Sequence, residues 1–389
     1  MIMMAQKQSG RIFGLDLLRV ISIALVLCSH TSWIYPPSSN LLAKAVDLSG
    51  FFGVELFFVM SGFLIGSILF KQFIQEDYGY KTIISFLNRR LIRILPNYYL
   101  IIFLNITIGL LIGYPVLDSW KYFFFFQNFD SPLLPFFPES WSLPIKEYGY
   151  LIMIVLLFCF SVIFKNIPKK TVFLTVVIGL IIFFLMSKIY YNNHTHNTTM
   201  LQWNLSLRSV VIYRIDTVLV GVLFGFVYCE HPLFWSKLKY VFVAVGLVVA
   251  FVLLLCMGFF KLKIEDSPLF WNVLCLPLNS IALACFLPFF SAWKSAPHCL
   301  EKPVESISKI SYSVYLIHYS IVLFLMQYYI DTSRFSMLQF HLYSLAYLTI
   351  TFFLSYLLFH YFEKPITKLL RTKNYTLWKN RVVKRGFSA

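Results

Sequence analysis

Apolar stretches of about 20 residues recur along this chain from end to end, each long enough to cross a bilayer core as one helix. Ten windows qualify: 12–34, 51–70, 91–112, 148–164, 171–189, 210–228, 241–260, 271–290, 313–330 and 342–362. Backbone polar groups in hydrocarbon must be satisfied within the segment, which selects helices over open strands. Charged residues make up 13% of the 389 residues, about half the share usual in soluble domains. The expected fold is all-α, a polytopic integral membrane protein with about ten transmembrane helices.

The formal charge of +16 raises the question of nucleic acid, but the distribution of the cations speaks against it. Lys and Arg gather in alternate connections, including Lys71, Lys81, Arg89, Arg90, Arg93, Lys165, Lys169 and Lys170, and in the tail. The intervening connections are poorer in cations, among them Lys44, Lys121, Lys188, Lys261, Lys263 and Arg334. This asymmetry is the positive-inside pattern. It places both termini on the cytoplasmic side of a bacterial-type inner membrane. Residues 1–365 read as one membrane domain, and 366–389 as a basic cytoplasmic tail suited to anionic lipid headgroups. The first apolar stretch is long enough to span and is not expected to be a cleaved leader. The short apolar pieces 123–126 and 132–137 suggest an interfacial or re-entrant segment. The seven cysteines show no metal or disulfide spacing and are expected to act as small buried hydrophobes. His194 and His196 lack a third ligand type nearby, so no metal site is expected.

A charge deep in a span costs about 2.5–3.5 kcal/mol on the insertion scale, so each such residue is a functional candidate. The first span contains "DLLRVISIALVLCSH", residues 16–30. Asp16 and Arg19 are three apart and share a helix face. His30 follows Arg19 by eleven residues, which returns to nearly the same face about 16 Å farther along. Cys28 points almost the opposite way. One reading has Arg19 snorkelling and His30 meeting a neighbour's carbonyl. The other makes His30 a general base for a hydroxyl nucleophile.

The second span, "GFFGVELFFVMSGFLIG", has glycines at 50, 53, 62 and 66 that permit close helix approach, with Glu55 near its outer end. Arg89, Arg90 and Arg93 stand at the cytoplasmic edge of the third span, as topology signals or as a phosphate clamp. Pro96 can bend the start of that helix. Glu147 lies at the start of the fourth span. Arg214 and Asp216 fall inside the sixth, two apart, and each should pair with another helix; Glu147 and Asp16 are the candidate partners. Ser311, Tyr312, Tyr315 and His318 suggest a polar seam in the ninth.

Taken together, these stretches resemble the acyltransferase-3 family of multispanning membrane acyltransferases. The similarity lies in "GLDLLRVISIALVLCSH", "GVELFFVMSGFLI", "RRLIRILPNYY", "SWSLPIKEYGYL", "YRIDTVLVGVLFG", "ISKISYSVYLIHYSIV" and "YFEKPITK", in that order. The resemblance implies transfer of an acyl group, commonly acetyl, from cytoplasmic acyl-coenzyme A as co-substrate. The implied acceptor is a hydroxyl on a cell-surface polysaccharide or its lipid-linked precursor. Carried over residue by residue, it makes Arg19, His30, Asp16 and Glu147 the catalytic candidates. It makes Arg89, Arg90, Arg93 and Arg214 candidates for holding the acyl-coenzyme A. Some members bear a further secreted hydrolase-like domain, which is not expected within these residues. Two departures stand out. Lys146 replaces the first Glu of a common Glu–Glu pair, which leaves Glu147 alone. Ser320 stands where proline is common.

A transporter or flippase for a glycan or small solute is the rival class, because buried charges also mark transport paths. Against it, the two halves show no obvious internal repeat. A structural or sensory membrane subunit is a third class, and a lipid or peptide acceptor is an alternative within the first.

Overall fold

The computed structural model describes residues 11–38, 40–195, 197, 199–260 and 262–372. Among these the regular structure is helical, with no strand. Among the described residues nine helices are long and apolar enough to cross a membrane: α1 (Phe13–Ser32), α2 (Leu41–Phe73), α3 (Tyr80–Ile112), α4 (Pro138–Ile163), α5 (Lys169–His194), α7 (Lys239–Gly258), α8 (Phe270–Ala292), α9 (His298–Tyr329) and α10 (Met337–Thr372). Between α5 and α7 lies a tenth apolar helix, α6 (Ile215–Glu230), of 16 residues. The protein is therefore an all-α, multi-pass membrane protein. The bulk of the basic tail, 373–389, lies outside the described residues.

The chain divides into two units, one of residues up to Glu76 together with Phe124–Lys309, the other of Asp77–Phe123 together with residues from Ile310 onward. In the first unit, α2 and α6 pack through glycines. A Cβ on Gly62 would lie 2.0 Å from the Val218 carbonyl oxygen, and one on Gly221 would lie 2.1 Å from that of Val59. Gly66 and Gly225 extend the seam one turn farther, so backbone meets backbone, as the glycines of the second span led us to expect. The contacts advance together along both helices, Glu55 meeting Arg214, Gly62 meeting Val218 and Ser67 meeting Gly225. Hence α2 and α6 run parallel. By contrast, α1 runs antiparallel to α2, with Gly53 against Ser22 and Gly50 against Ser29. Likewise α5 runs antiparallel to α6, with Lys188 at Asp216 and Phe173 at Phe226. A sixth crossing would run in the sense of the second, and α6 does so, although it is only about 24 Å long and is not among the nine helices long enough to span.

The segment 124–137 before α4 is not helical, and part of it is buried. Gln127, Asn128 and Phe137 are buried. Asn128 Nδ2 donates to the carbonyls of Trp141 (2.9 Å) and Ser209, and the amides of Val211 and Ile212 donate to the carbonyls of Asn128 and Phe129. Irregular backbone survives in a membrane protein where protein satisfies it. Phe125 has φ +61°, rare for a bulky residue.

In the second unit, α3 is continuous through Pro96 and begins eleven residues before its apolar window. Tyr98 donates to the Tyr122 carbonyl at 2.9 Å and Tyr312 to that of Ile94 at 3.0 Å.

Three expectations need correction. Lys188 is not in a loop; α5 runs on to His194, and Lys188 is fully buried one and a half turns before its end. Asp216 and Arg214 do not pair with Asp16 or Glu147, as described below. Cys28, Cys159 and Cys299 are exposed, whereas Cys275 and Cys285 are buried. A thiol on the outer surface of an apolar helix costs little, because it is nearly as apolar as its neighbours.

Candidate active site

Asp16 is the centre of the first cluster. It sits in the first turn of α1 and is buried. Arg11, ahead of the helix, grips it with two bonds, Nε to Oδ2 at 2.8 Å and Nη2 to Oδ1 at 2.9 Å. Arg19, one turn along, donates Nη1 to Oδ1 at 2.9 Å. Ser308 of α9 donates to Oδ1 at 2.7 Å and accepts from Arg19 at 3.1 Å. Glu305 accepts from Arg11 at 3.2 Å and pairs with Lys309 at 2.6 Å. The hydrogen bond to Asp16 holds the Arg11 guanidinium above its ordinary pKa. With three donors on Oδ1 and one on Oδ2, Asp16 is a fixed anion and not a free base. Both arginines remain partly exposed, 39% for Arg11 and 24% for Arg19, so they can meet a ligand from outside.

His30 lies in the last turn of the same helix. It is half-buried, and its ring centroid is 4.2 Å from that of Trp33. The unbroken helix puts it about 16 Å from Arg19.

A second cluster is wholly interior. Arg214 caps α6 and directs Nη2 at both oxygens of Glu55 on α2, at 2.5 and 2.6 Å. Lys188 of α5 pairs with Asp216 of α6. Glu55, Arg214 and Lys188 are fully buried and Asp216 is 2% exposed. Arg208 stands 3.9 Å from Glu55, with Phe51 and Trp141 on its guanidinium faces at 4.9 and 4.7 Å. Arg214 thus holds helices together and faces no solvent. Glu147 is half-buried on α4.

In the second unit, Arg89 and Arg93 are exposed and Arg90 half-buried on α3. Arg89 donates to Ser85 at 2.6 Å. Asn97, one turn after Arg93, donates to Glu363 of α10 at 2.6 Å, and Ser313 donates to the same oxygen at 2.8 Å. The charge of Arg93 acts on this carboxylate. Ser311, Tyr315 and His318 are buried on α9, and Tyr312 is half-buried there.

The structure therefore joins Asp16 with Arg19 and keeps His30 on their helix. Arg214 is placed with Glu55, and the Arg89–Arg93 group belongs to the other unit. Arg11, Ser308, Arg208 and Glu363 were not singled out from the sequence. Arg11 precedes the helix and so falls off its face periodicity. Arg208 and Glu363 end π-helical turns, Asn204–Arg208 and Leu358–Glu363, and His318 begins another. Such turns displace side chains from the regular stripe and are frequent at functional sites. Among the described residues no three His, Cys, Asp or Glu side chains gather as a metal site. His194 bonds the Tyr190 carbonyl at 2.8 Å, and His196 lies outside the described residues.

Comparison with known proteins places this architecture. The family profile described as an acyltransferase domain matches residues 12–360. A Staphylococcus aureus (strain COL) protein named "Putative O-acetyltransferase" is 27% identical over 351 positions, covering 84% of this chain and 53% of the relative. The "Peptidoglycan O-acetyltransferase OatA" of Listeria monocytogenes is 26% identical over 409 aligned positions, covering 96% of this chain and 60% of that protein. The "Putative peptidoglycan O-acetyltransferase YrhL" of Bacillus subtilis (strain 168) is 27% identical and covered to 48%. The chain thus spans about half the length of the curated relatives it matches. No solved structure matches. With its profile match running from the first helix into the last, the chain belongs to the acyltransferase-3 family of multispanning membrane proteins.

Proposed function

We propose that the protein transfers an acyl group, in the first instance acetyl, from cytoplasmic acyl-coenzyme A to a hydroxyl of a cell-surface polysaccharide. The polysaccharide of first choice is peptidoglycan or its lipid-linked precursor. The observation that carries this reading is the layout of α1. A phosphate-competent arginine, Arg19, shares one helix with an imidazole, His30, about 16 Å away. This separation suits a donor whose phosphates and thioester lie at opposite ends of a long arm.

In this account the N-terminal end of α1 faces the cytoplasm, consistent with the cation asymmetry between connections, and the membrane is the bacterial inner membrane. Arg19 binds donor phosphate, and Asp16 positions it. In the other unit, Arg89, Arg90 and Arg93 form a cationic group of their own that is competent for phosphate. His30 accepts the proton of the attacking hydroxyl. The hydroxyl oxygen bonds to the thioester carbonyl carbon, the carbon–sulfur bond breaks, and the thiolate takes the proton back from His30. The products are an O-acyl ester and free coenzyme A. Glu147 and Arg214 act by position, Glu147 as a carboxylate on α4 and Arg214 as the cation that holds Glu55.

The test supplies acetyl-coenzyme A labelled in its acetyl group, together with glycan fragments, to the chain in liposomes. Label is expected on the glycan in alkali-labile form, as an ester is. Alkali-stable label would mean an amide and a different acceptor group, and unlabelled glycan beside moved solute would favour the transporter reading.

A further inference from the structure

Asp16 has two cationic partners that hold it in different ways. Arg11 makes a two-point fork that occupies both carboxylate oxygens, whereas Arg19 makes a single bond to Oδ1. Were Arg19 to leave, the buried carboxylate would keep the Arg11 fork and the Ser308 hydroxyl at 2.7 Å. Were Arg11 absent, Arg19 would be the only cation within 4 Å among the described residues, and its departure would strand a buried anion. A buried carboxylate without a cation is strongly disfavoured. Arg11 is itself steadied from the far side by Glu305 at 3.2 Å, which Lys309 neutralises in turn at 2.6 Å. The backbone just after Arg11 is pinned, the amides of Phe13 and Gly14 donating to the carbonyls of Lys294 and Trp293 at 3.2 and 2.9 Å. Among the described residues the cations that act on Asp16 are Arg11 and Arg19; Glu305 of α9 is the nearby anion, and Lys309 pairs with Glu305.

We propose that Arg11 is a positioning residue for donor binding: its two-point grip on Asp16 allows Arg19 to exchange that carboxylate for a phosphate of the donor. The inference rests on the donor-binding role given to Arg19 above. It assigns Arg11 no contact with the donor. Arg11 keeps Asp16 compensated while Arg19 is away, so the exchange swaps one anion for another at Arg19 and leaves no buried charge alone.

The inference separates from direct phosphate binding by Arg11 through a second substitution. Without Arg11, Arg19 is tied to Asp16 and coenzyme A binding weakens. Removing the charge of Asp16 as well unties it, and binding returns. If Arg11 gripped phosphate itself, loss of Asp16 would restore nothing.

The experiment measures binding of coenzyme A to the full chain in detergent for wild type, Arg11→Gln, Arg19→Gln and Arg11→Gln/Asp16→Asn, with thermal unfolding recorded for each. Arg11→Gln is expected to weaken binding about tenfold, within the range seen for directly coupled residues. The double variant is expected to recover to within about threefold of wild type, as a coupled pair allows. Unchanged binding in Arg11→Gln, or a double variant no tighter than Arg11→Gln, overturns the proposal. If wild type binds and Arg19→Gln does not, such a result leaves the donor site standing and removes only the role of Arg11. If wild type and Arg19→Gln bind alike, or neither binds, the donor-site reading fails and this inference with it.

Discussion

Glu55 and Arg214 show how much of this protein depends on partners far apart in sequence. They lie 159 positions apart and both are fully buried. Removing one member of such a pair leaves an uncompensated charge, while removing both leaves an apolar gap that neighbours can fill. Arg214→Met should therefore lower the unfolding free energy by about 3–5 kcal/mol, and Glu55→Leu/Arg214→Met by clearly less. Thermal unfolding in detergent checks this; equal losses in both variants would contradict it. From the sequence, Arg214 and Asp216 were legible as buried charges that need other helices. Their partners were not, because spacing along one helix says nothing about which helix packs beside it. Lys188 was misplaced for a related reason. A lysine near the end of an apolar window reads as an interfacial anchor, but polar residues 190–194 extend the helix past it. The Asp16–Arg19 pair was legible because three-residue spacing is local. Arg11 was not, since it reaches Asp16 from outside the helix.

Helices α2 and α6 meet so closely that their glycines cannot carry side chains. Gly221→Val would place Cβ within about 2 Å of a backbone oxygen, and side-chain relaxation cannot relieve a clash with backbone. Loss of folded protein is expected, read as a missing monodisperse peak after detergent extraction. Gly179 of α5 has no heavy atom within 4 Å of an added Cβ. Gly179→Ala should leave yield intact and raise stability by up to ~1 kcal/mol through helix propensity. The reverse ranking would refute the parallel seam. The glycines of the second span signalled a close contact, but its partner had to come from the packing. Window boundaries also differ from helix boundaries for a physical reason. Hydropathy ends where polar residues begin, while the helix continues as long as its backbone bonds are made. Thus α2 starts at Leu41 and α3 at Tyr80. At α6 the reverse holds. Residues 210–214 are apolar enough to be counted in, but the 3-10 turn Val211–Tyr213 and the non-helical Arg214 keep the helix from starting before Ile215.

The whole molecule is a membrane-embedded helical protein that carries two interior charge systems in one unit. One of them, around Asp16, remains partly open to ligands; the other, around Glu55 and Asp216, is closed. Under the proposed function, the open system would be the entry for an anionic donor, His30 the base farther along, and the closed system a rigid frame between helices. The helical membrane architecture was legible because hydrophobic length is a property of the sequence itself. The acceptor was not, because its recognition depends on surfaces that no single motif encodes. The central claim is that His30 is the base for acyl transfer from acyl-coenzyme A. The direct measurement is the rate of free-thiol release from acetyl-coenzyme A by the chain in liposomes with a glycan acceptor, for wild type and His30→Ala. A positioned general base contributes about 10²–10⁴-fold, so the variant should fall by at least about a hundredfold while still binding coenzyme A. Thiol release at the wild-type rate from folded His30→Ala would contradict the account.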